Sequence, residues 1–409
     1  MEKCFWVVGG GLLQIPLIAE VRKFGFKVIV SDLSEKCSCK DLCDIFVHAD
    51  IFDIAAHIKE AKKITKEGKK IVGVLAAGID APETMAGLAK NLGLPAVDQK
   101  IAHLVHDKHE FRLKLKELGY PYPKFVSIST QNIDHLEEFV NEIDFPLIVK
   151  NNDSSGSRGT KIFRKKNMPE ISKMINTAIN VSKSASALIE ECWEGLEQTV
   201  ETIFDVNGNF YPCFITDRIF DRSSGYAMEI ALRQPTNLPV ETQKEMFEIA
   251  EKVARDLGVK IGAAKYDTIL TKDGPRIIEM TVRLSGGFDC QYLVPAATGK
   301  QVMRAAILTA LGKTFPRELL EDTKHRVGIS ESIWPEPGKI IRIEGVEEAK
   351  KIPGVENIFF RYEEGETIEP YVDCTKRVCF IIVTGKNEEE ARNTMKKVKE
   401  IIKIRTKKQ

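Results

Sequence analysis

The sequence lacks an excess of either charge: 60 Lys and Arg stand against 59 Asp and Glu over 409 residues, a net charge of +1. A chain so balanced has no bulk attraction to nucleic acid or to an anionic lipid surface, and neither is expected as a partner. It also lacks an uninterrupted apolar run of membrane length. The most apolar early stretch, Phe5 to Ala19, is broken by Gly9, Gly10, Gly11, Gln14 and Pro16 and falls short of the roughly 20 residues a spanning helix needs. That stretch has no basic flank and no small-residue cleavage site, so a soluble, cytoplasmic chain is expected. Cysteine is sparse, nine residues and odd in number, which points to reduced thiols rather than a disulfide framework. Cys37, Cys39 and Cys43 lie close together with His48 nearby. Their Cys-x-Cys-x3-Cys spacing matches no standard zinc site, and small, semi-buried side chains in a loop account for them better. There is no internal repeat.

What is present is enough apolar residue, 43% of the chain, for several buried cores, and the length fits two to four domains of about 100 to 200 residues each. Phe5 to Val8 reads as a buried strand, Gly9-Gly10-Gly11 as a tight turn, Ile15 to Phe24 as a helix, and Lys27 to Val30 as a second strand. Ile71 to Ala76 reads as another buried strand and Pro82 to Asn91 as the helix after it, so this region is expected to be doubly wound. Gly9-x-Gly11, with Asp32 beyond it, approaches a dinucleotide fingerprint. Gln14 stands where the third glycine belongs, so NAD is not expected, although the helix N-terminus still offers an anion site. After a helix from Lys108 to Leu118 the pattern changes to short strands and hairpins, which places a boundary near residue 100. A third region begins near residue 315 and closes with a helix carrying Met395, Val398, Ile401 and Ile402 on one face. The Lys-rich tail, Lys396 to Lys408, reads as a solvated helix flank.

Three segments carry chemistry. In the first, Ala263 to Leu270 and Arg276 to Thr281 flank the turn Lys272-Asp273-Gly274. A hairpin symmetric about Asp273 sets Asp267 opposite Glu279, where like charges repel unless a divalent cation joins them. The strand period puts Lys265, Thr281 and Arg283 on the same face, the mixture phosphoryl chemistry needs, and Ala264, Leu270, Ile278, Met280 and Val282 on the opposite, apolar face; a surface hairpin with solvated charges is the other reading. The second segment is the strand Pro146 to Lys150 followed by Asp153-Ser154-Ser155-Gly156-Ser157-Arg158-Gly159-Thr160. Small residues let backbone N–H groups approach phosphate while Lys150 adds a point charge; a flexible turn is the other reading. In the third, Ala187 to Glu191 runs through Cys192-Trp193-Glu194-Gly195 into a further strand that begins near Glu197.

In this order and spacing the three segments resemble the ATP-grasp superfamily, and within it the carboxylate–amine ligases of the bacterial L-amino-acid ligase type, over essentially the whole chain. The resemblance implies an α/β fold with a doubly wound preATP-grasp (Rossmann-like) domain at 1–100. An ATP-grasp domain follows at 101–314, including a lid subdomain at 124–195, and a C-terminal α+β subdomain at 315–409. It implies that Lys108 and Lys150 hold the phosphates of ATP under a lid formed by Ser154, Ser155, Gly156, Ser157 and Gly159. Glu190 and the backbone of Glu191, Cys192 and Trp193 would hold adenine, and Glu197 the ribose. Asp267, Glu279 and Thr281 would bind Mg2+ or Mn2+, with Arg283 and Lys265 at the reacting groups. The family's Glu-x-Asn-x-Arg segment here reads Glu279-Met280-Thr281-Val282-Arg283. A hydroxyl is a weaker metal ligand than an amide carbonyl, which leaves the number of metal ions open.

Arg218 and Tyr226, in the 217–226 link between two strands, join Ser285 and Gly286 as candidates for the substrate pocket; an exposed charged loop is the other reading. The implied activity is ATP-dependent joining of a small-molecule carboxylate to an amine through an acyl phosphate, releasing ADP and phosphate, and a homodimer is expected on the same ground. The alternatives are a bicarbonate-using carboxylase of the purine-pathway type and a nucleotide-binding regulatory protein without turnover. Acid and amine are not legible, because such pockets use scattered side chains rather than a spaced motif.

Overall fold

The computed structural model describes residues 2–408. Four parallel strands open the chain: β1 (Glu2–Val8), β2 (Lys27–Asp32), β3 (Ile45–His48) and β4 (Lys69–Ala76), in the order β3-β2-β1-β4. Cys4 to Val8 are fully buried, as a strand covered on both faces requires, and helices Ile15–Lys23, Ile54–Lys66 and Pro82–Asn91 alternate with the strands. This is the doubly wound expectation. The anion site expected at the glycine turn is corrected. Gly9 N–H donates to the Ser31 carbonyl (2.9 Å), Gly10 N–H to Asp32 Oδ2 (2.9 Å) and Gly11 N–H to Gln14 Oε1 (2.8 Å). Gln14 also donates to the Ala77 carbonyl. The residue in place of the third glycine thus closes the turn on itself and ties it to the end of β4. Cys39 packs behind the turn, its thiol donating to the Gly11 carbonyl at 3.2 Å and pushed up to about 12 by burial.

A second four-stranded sheet, β5 (Phe125–Ser129), β6 (Leu147–Asn151), β7 (Lys161–Phe163) and β8 (Ser186–Glu191), has the order β5-β8-β6-β7. Helix Met168–Val181 covers it with Ile171, Met174, Ile175, Ala178 and Ile179. The change to short strands and hairpins expected after residue 118 is corrected in part here. Helices Met168–Val181, Val240–Asp256 and Val302–Ala310 interrupt them, each with an apolar stripe at helical spacing.

The largest sheet collects β9 (Leu196–Phe204), β10 (Phe210–Asp221), β11 (Met228–Gln234), β12 (Gly262–Thr271) and β13 (Gly274–Thr281) with β14 (Val327–Glu331), β16 (Val355–Phe360) and β18 (Cys379–Gly385). Its order is β13-β12-β9-β10-β11-β14-β18-β16. Strands from before and after residue 315 therefore share one sheet, and Leu232, Phe288, Leu293, Phe380 and Ile382 form a common core there. A small sheet of β15 (Gly338–Glu344), β17 (Thr367–Ile368) and β19 (Lys403–Lys407) lies beside it. The expected helical flank at the Lys-rich tail is corrected in part, since 403–407 pairs with β15 as a strand. Among the described residues no helix is long and apolar enough to cross a membrane.

Candidate active site

One cleft, of about 360 Å³, lies where the two four-stranded sheets and the eight-stranded sheet approach one another. Its floor is the face of the eight-stranded sheet that carries β12 and β13. The hairpin turns tighter than the symmetric reading: Thr271 pairs with Gly274, so near the turn the register is offset by one residue. A bulge beside Thr268 restores it, and Asp267 then faces Glu279 while Lys265 faces Thr281. The bulge also turns Ile278, expected on the opposite apolar face, toward the cleft. One row across the sheet reads Glu279, Asp267, Thr199, Thr216; the next reads Thr281, Lys265, Glu201.

Asp267 is met by Lys265 and by Arg218, whose Nη1 lies 2.7 Å from Oδ1. Burial opposes its charge, but Arg218 and Lys265 outweigh burial and hold the carboxyl down at about 2. Glu279 lines the cleft and has no hydrogen-bond or ion-pair partner among the described residues. One carboxylate facing another across a ladder, and left without a protein cation, fits a Mg2+ ion that takes one or two carboxylates and completes its shell with water and phosphate. Thr281 lies one row beyond the pair, opposite Lys265.

The two lysines come together at the other wall. Lys108 is the first residue of helix Lys108–Glu117 and is nearly buried; its Nζ donates to the Ser154 carbonyl at 2.9 Å. Lys150, the penultimate residue of β6, has its Nζ 2.9 Å from Glu190 Oε2. Burial alone would drive its ammonium toward neutrality, and Glu190 and Glu279 overcome that and raise its pKa. The loop at 154–157 lines the cleft. Ser155 N–H and Arg158 Nη2 both donate to Asp80 Oδ2, at 3.2 and 2.7 Å, and Cys374 N–H donates to the Gly156 carbonyl at 3.0 Å. The loop is thus clasped from both ends of the chain. Gly159 is a correction: it does not line the cleft. It passes helix Met168–Val181 with φ +61°, where a Cβ would stand 3.0 Å from Ala178 Cα.

Glu190 lines the cleft and is tied to the protein's own cations. Its side chain is fully buried with both oxygens taken, Oε1 by Arg112 Nε at 2.8 Å and Oε2 by Lys150. Despite burial, Arg112 and Lys150 hold it down at about 2. The carboxylate therefore orients Lys150 at the cleft wall. The N–H groups of Glu191 and Cys192 are spent on the Lys124 and Pro146 carbonyls, and Trp193 beside them lines the cleft. Glu197 lies between Arg222, which donates to Oε1, and Arg218 at 3.7 Å; burial nonetheless pushes its carboxyl up.

The 217–226 segment is not the expected linking loop, because β10 runs to Asp221. Arg218 is a cleft residue on that strand, bound to Glu229 at 2.8 Å as well as to Asp267, so its guanidinium serves the protein's own carboxylates. Tyr226 does not line the cleft; its ring lies under the Lys161 ammonium, 4.7 Å away. Arg283 lies between the sheet and the first unit, with Nε donating to the Ile79 carbonyl (3.1 Å) and Nη1 to that of Leu284 (2.9 Å), and Ser285 and Gly286 follow it along the cleft. The sequence reading missed Asp80, Arg112, Glu229, Asp289 and Arg377, all cleft residues. Asp80 alone had a signal, its place just past the carboxyl end of a parallel strand.

The family model for the carbamoyl-phosphate synthase L chain, ATP binding domain matches residues 107–318, and that for L-amino acid ligase C-terminal domain 2 matches 332–407. Carnosine synthase 1 of Homo sapiens is 23% identical over 330 residues, 75% of this chain; the chain spans only 39% of that protein's length. The N5-carboxyaminoimidazole ribonucleotide synthase of Staphylococcus epidermidis is 31% identical over 144 residues, 35% of this chain and 36% of that one. The crystal structure of the L-amino acid ligase from Bacillus licheniformis superposes with a TM-score of 0.81 at 20% identity, covering 100% of this chain and 99% of that one. Phosphoribosylglycinamide synthetase from Anaerococcus prevotii gives 0.75 at 18%, with 100% of each chain covered. With the cleft described above and a family match over half its length, the chain belongs to the ATP-grasp carboxylate–amine ligase family.

Proposed function

We propose that the chain joins a small-molecule carboxylate to an amine in an ATP-dependent reaction that passes through an acyl phosphate. The observation that supports this most is Glu279, a carboxylate without a protein partner opposite Asp267, in a cleft that also holds Lys108, Lys150 and Arg283. Lys150, fixed by Glu190, and Lys108, fixed against the loop, neutralise the phosphates and position the γ-phosphoryl group for in-line attack by the carboxylate. A Mg2+ ion held by Asp267 and Glu279 would lower the charge on the β- and γ-phosphates. Lys265 and Arg218 keep Asp267 ionised for that role. The loop at 154–157, with the Trp193 edge, shuts water out of the cleft so that the acyl phosphate meets the amine. The unspent face of Arg283 stabilises the oxyanion that forms at the acyl carbon. The chain division at 1–100, 101–314 and 315–409 belongs to the same proposal, the first unit supplying Asp80 and the last Cys374 to the lid.

The test is substrate-dependent ADP release. Glu279→Ala is expected to lower it by about two orders of magnitude or more with the fold intact by circular dichroism; undiminished release would remove the metal assignment. Likeness to N5-carboxyaminoimidazole ribonucleotide synthase supports a second reading, with bicarbonate as the acid. ADP release that needs bicarbonate, and no organic acid, would select it.

A further inference from the structure

The reaction proposed above leaves one proton without a destination. An amine reaches a protein near neutral pH largely as an ammonium ion, and its nitrogen can attack only after a base has taken one proton. Ser285, two residues beyond Arg283, lines the cleft. Behind it lies Glu201, on β9 and fully buried. Glu201 Oε2 accepts from Ser285 N–H at 2.9 Å, and the Ser285 hydroxyl oxygen accepts from Cys290 N–H at 3.3 Å. Oε1 is buried with no hydrogen-bond partner among the described residues. The cations facing Glu201 are turned to other acceptors: Lys265, its ladder neighbour on β12, to Asp267, and Arg283 to two carbonyls. Asp289 and Cys290 beyond β13, and Cys213 on β10, are the other titratable groups around it. An unmet polar atom in the interior is costly, and Oε1 is an acceptor with room for a proton beside Ser285.

Resting on the acyl-phosphate reading, we propose that Ser285 and Glu201 form a proton relay for the amine substrate. The ammonium gives one proton to Ser285 Oγ while Ser285 passes its own to Glu201. The neutral nitrogen then forms the C–N bond, the C–O bond to phosphate breaks with its electron pair on the phosphate, and the second nitrogen proton leaves with phosphate. Glu201 returns its proton to solvent as product departs. Burial raises Glu201 to about 7, so it gains and loses a proton near neutrality.

Hydroxylamine separates this role from a structural one, because it is already unprotonated at neutral pH and attacks acyl phosphates directly. The twenty protein amino acids are supplied singly with hydroxylamine to score hydroxamate, and in pairs to score amide. Glu201→Gln, which keeps an acceptor for Ser285 N–H, is expected to lower amide formation about a hundred-fold while hydroxamate formation holds. Ser285→Ala should show the same split, and Glu201→Asp should restore part of the amide rate. In the unmutated enzyme the amide rate should fall below about pH 7 as Glu201 protonates, and hydroxamate formation should not follow it. Amide and hydroxamate falling together in Glu201→Gln, or an amide rate left intact, would overturn the relay. No hydroxamate from the unmutated enzyme with any amino acid would instead remove the acyl-phosphate reading, and the relay with it.

Discussion

A fully buried carboxylate is costly unless cations meet it, and Glu190 is met by two, Arg112 and Lys150. The cost of desolvating three charges is recovered in position: Lys150 is held with its ammonium in the cleft, also within the field of Glu279. Glu190→Gln would leave Arg112 buried without its countercharge, and a loss of ~3–5 kcal/mol is expected from breaking such a pair, read as a lower urea midpoint. The pH dependence follows from the depressed pKa. Between its ordinary 4.5 and about 2 the folded protein keeps Glu190 ionised where the unfolded chain does not. The contribution of Glu190 is therefore present in full above 4.5 and is lost as pH falls toward about 2. Acid unfolding of Glu190→Gln should accordingly be shallower over that window than that of the unmutated protein. None of this was legible locally, because Arg112 and Glu190 are 78 residues apart and neither spacing nor composition announces the pair.

Elements, not single residues, bring the remaining groups to the cleft. The hairpin shows both what a strand pattern carries and where it stops. Period two and a Lys-Asp-Gly turn were enough to set Asp267 against Glu279, yet the pairing depends on a bulge beside Thr268 that compensates a tighter turn. Bulges have no composition signal of their own, so Ile278 was assigned to the wrong face. The glycine turn shows the same limit: Asp32 and Gln14 were visible, but their taking of Gly10 and Gly11 N–H groups needs the folded distances. Helix Met168–Val181 was legible from its apolar stripe and went unread among the turn signals that surround it. The loop at 154–158 is an element whose closure can be measured. Asp80 holds it through Ser155 N–H and Arg158, and the Arg158 side chain is 39% exposed, so the clasp contributes at most ~1 kcal/mol. Asp80→Asn is expected to raise the KM for ATP by up to about five-fold with kcat little changed, and to speed tryptic cleavage after Arg158. An unchanged KM with unchanged cleavage would show that the loop closes without Asp80.

At the scale of the molecule, the last part of the chain is woven into the sheet that carries the cleft. Strand β14 pairs with β11 on one side and β18 on the other, and Phe288 stacks on Phe359 with ring centroids 4.2 Å apart and meets Phe380 edge-on at 5.1 Å. Arg377 reaches back to Glu229 at 3.1 Å, and Glu229 in turn holds Arg218, the partner of Asp267. A line of charges thus runs from the end of the chain to the carboxylate pair. A chain cut after His325 would keep every lysine and carboxylate assigned to the nucleotide. It would also bare the edge of β11 and the apolar surface of Leu232, Phe288 and Leu293. An uncovered, apolar sheet edge invites pairing with other chains. The 1–325 protein is therefore expected to aggregate on size exclusion, or to bind a hydrophobic dye and show no ATP-dependent rise in thermal midpoint. The full chain should gain about 2.7 kcal/mol at an ATP concentration a hundred times Kd. A soluble 1–325 monomer with that stabilisation intact would show that the site folds without its C-terminal strands, and that the shared sheet is an attachment rather than a support.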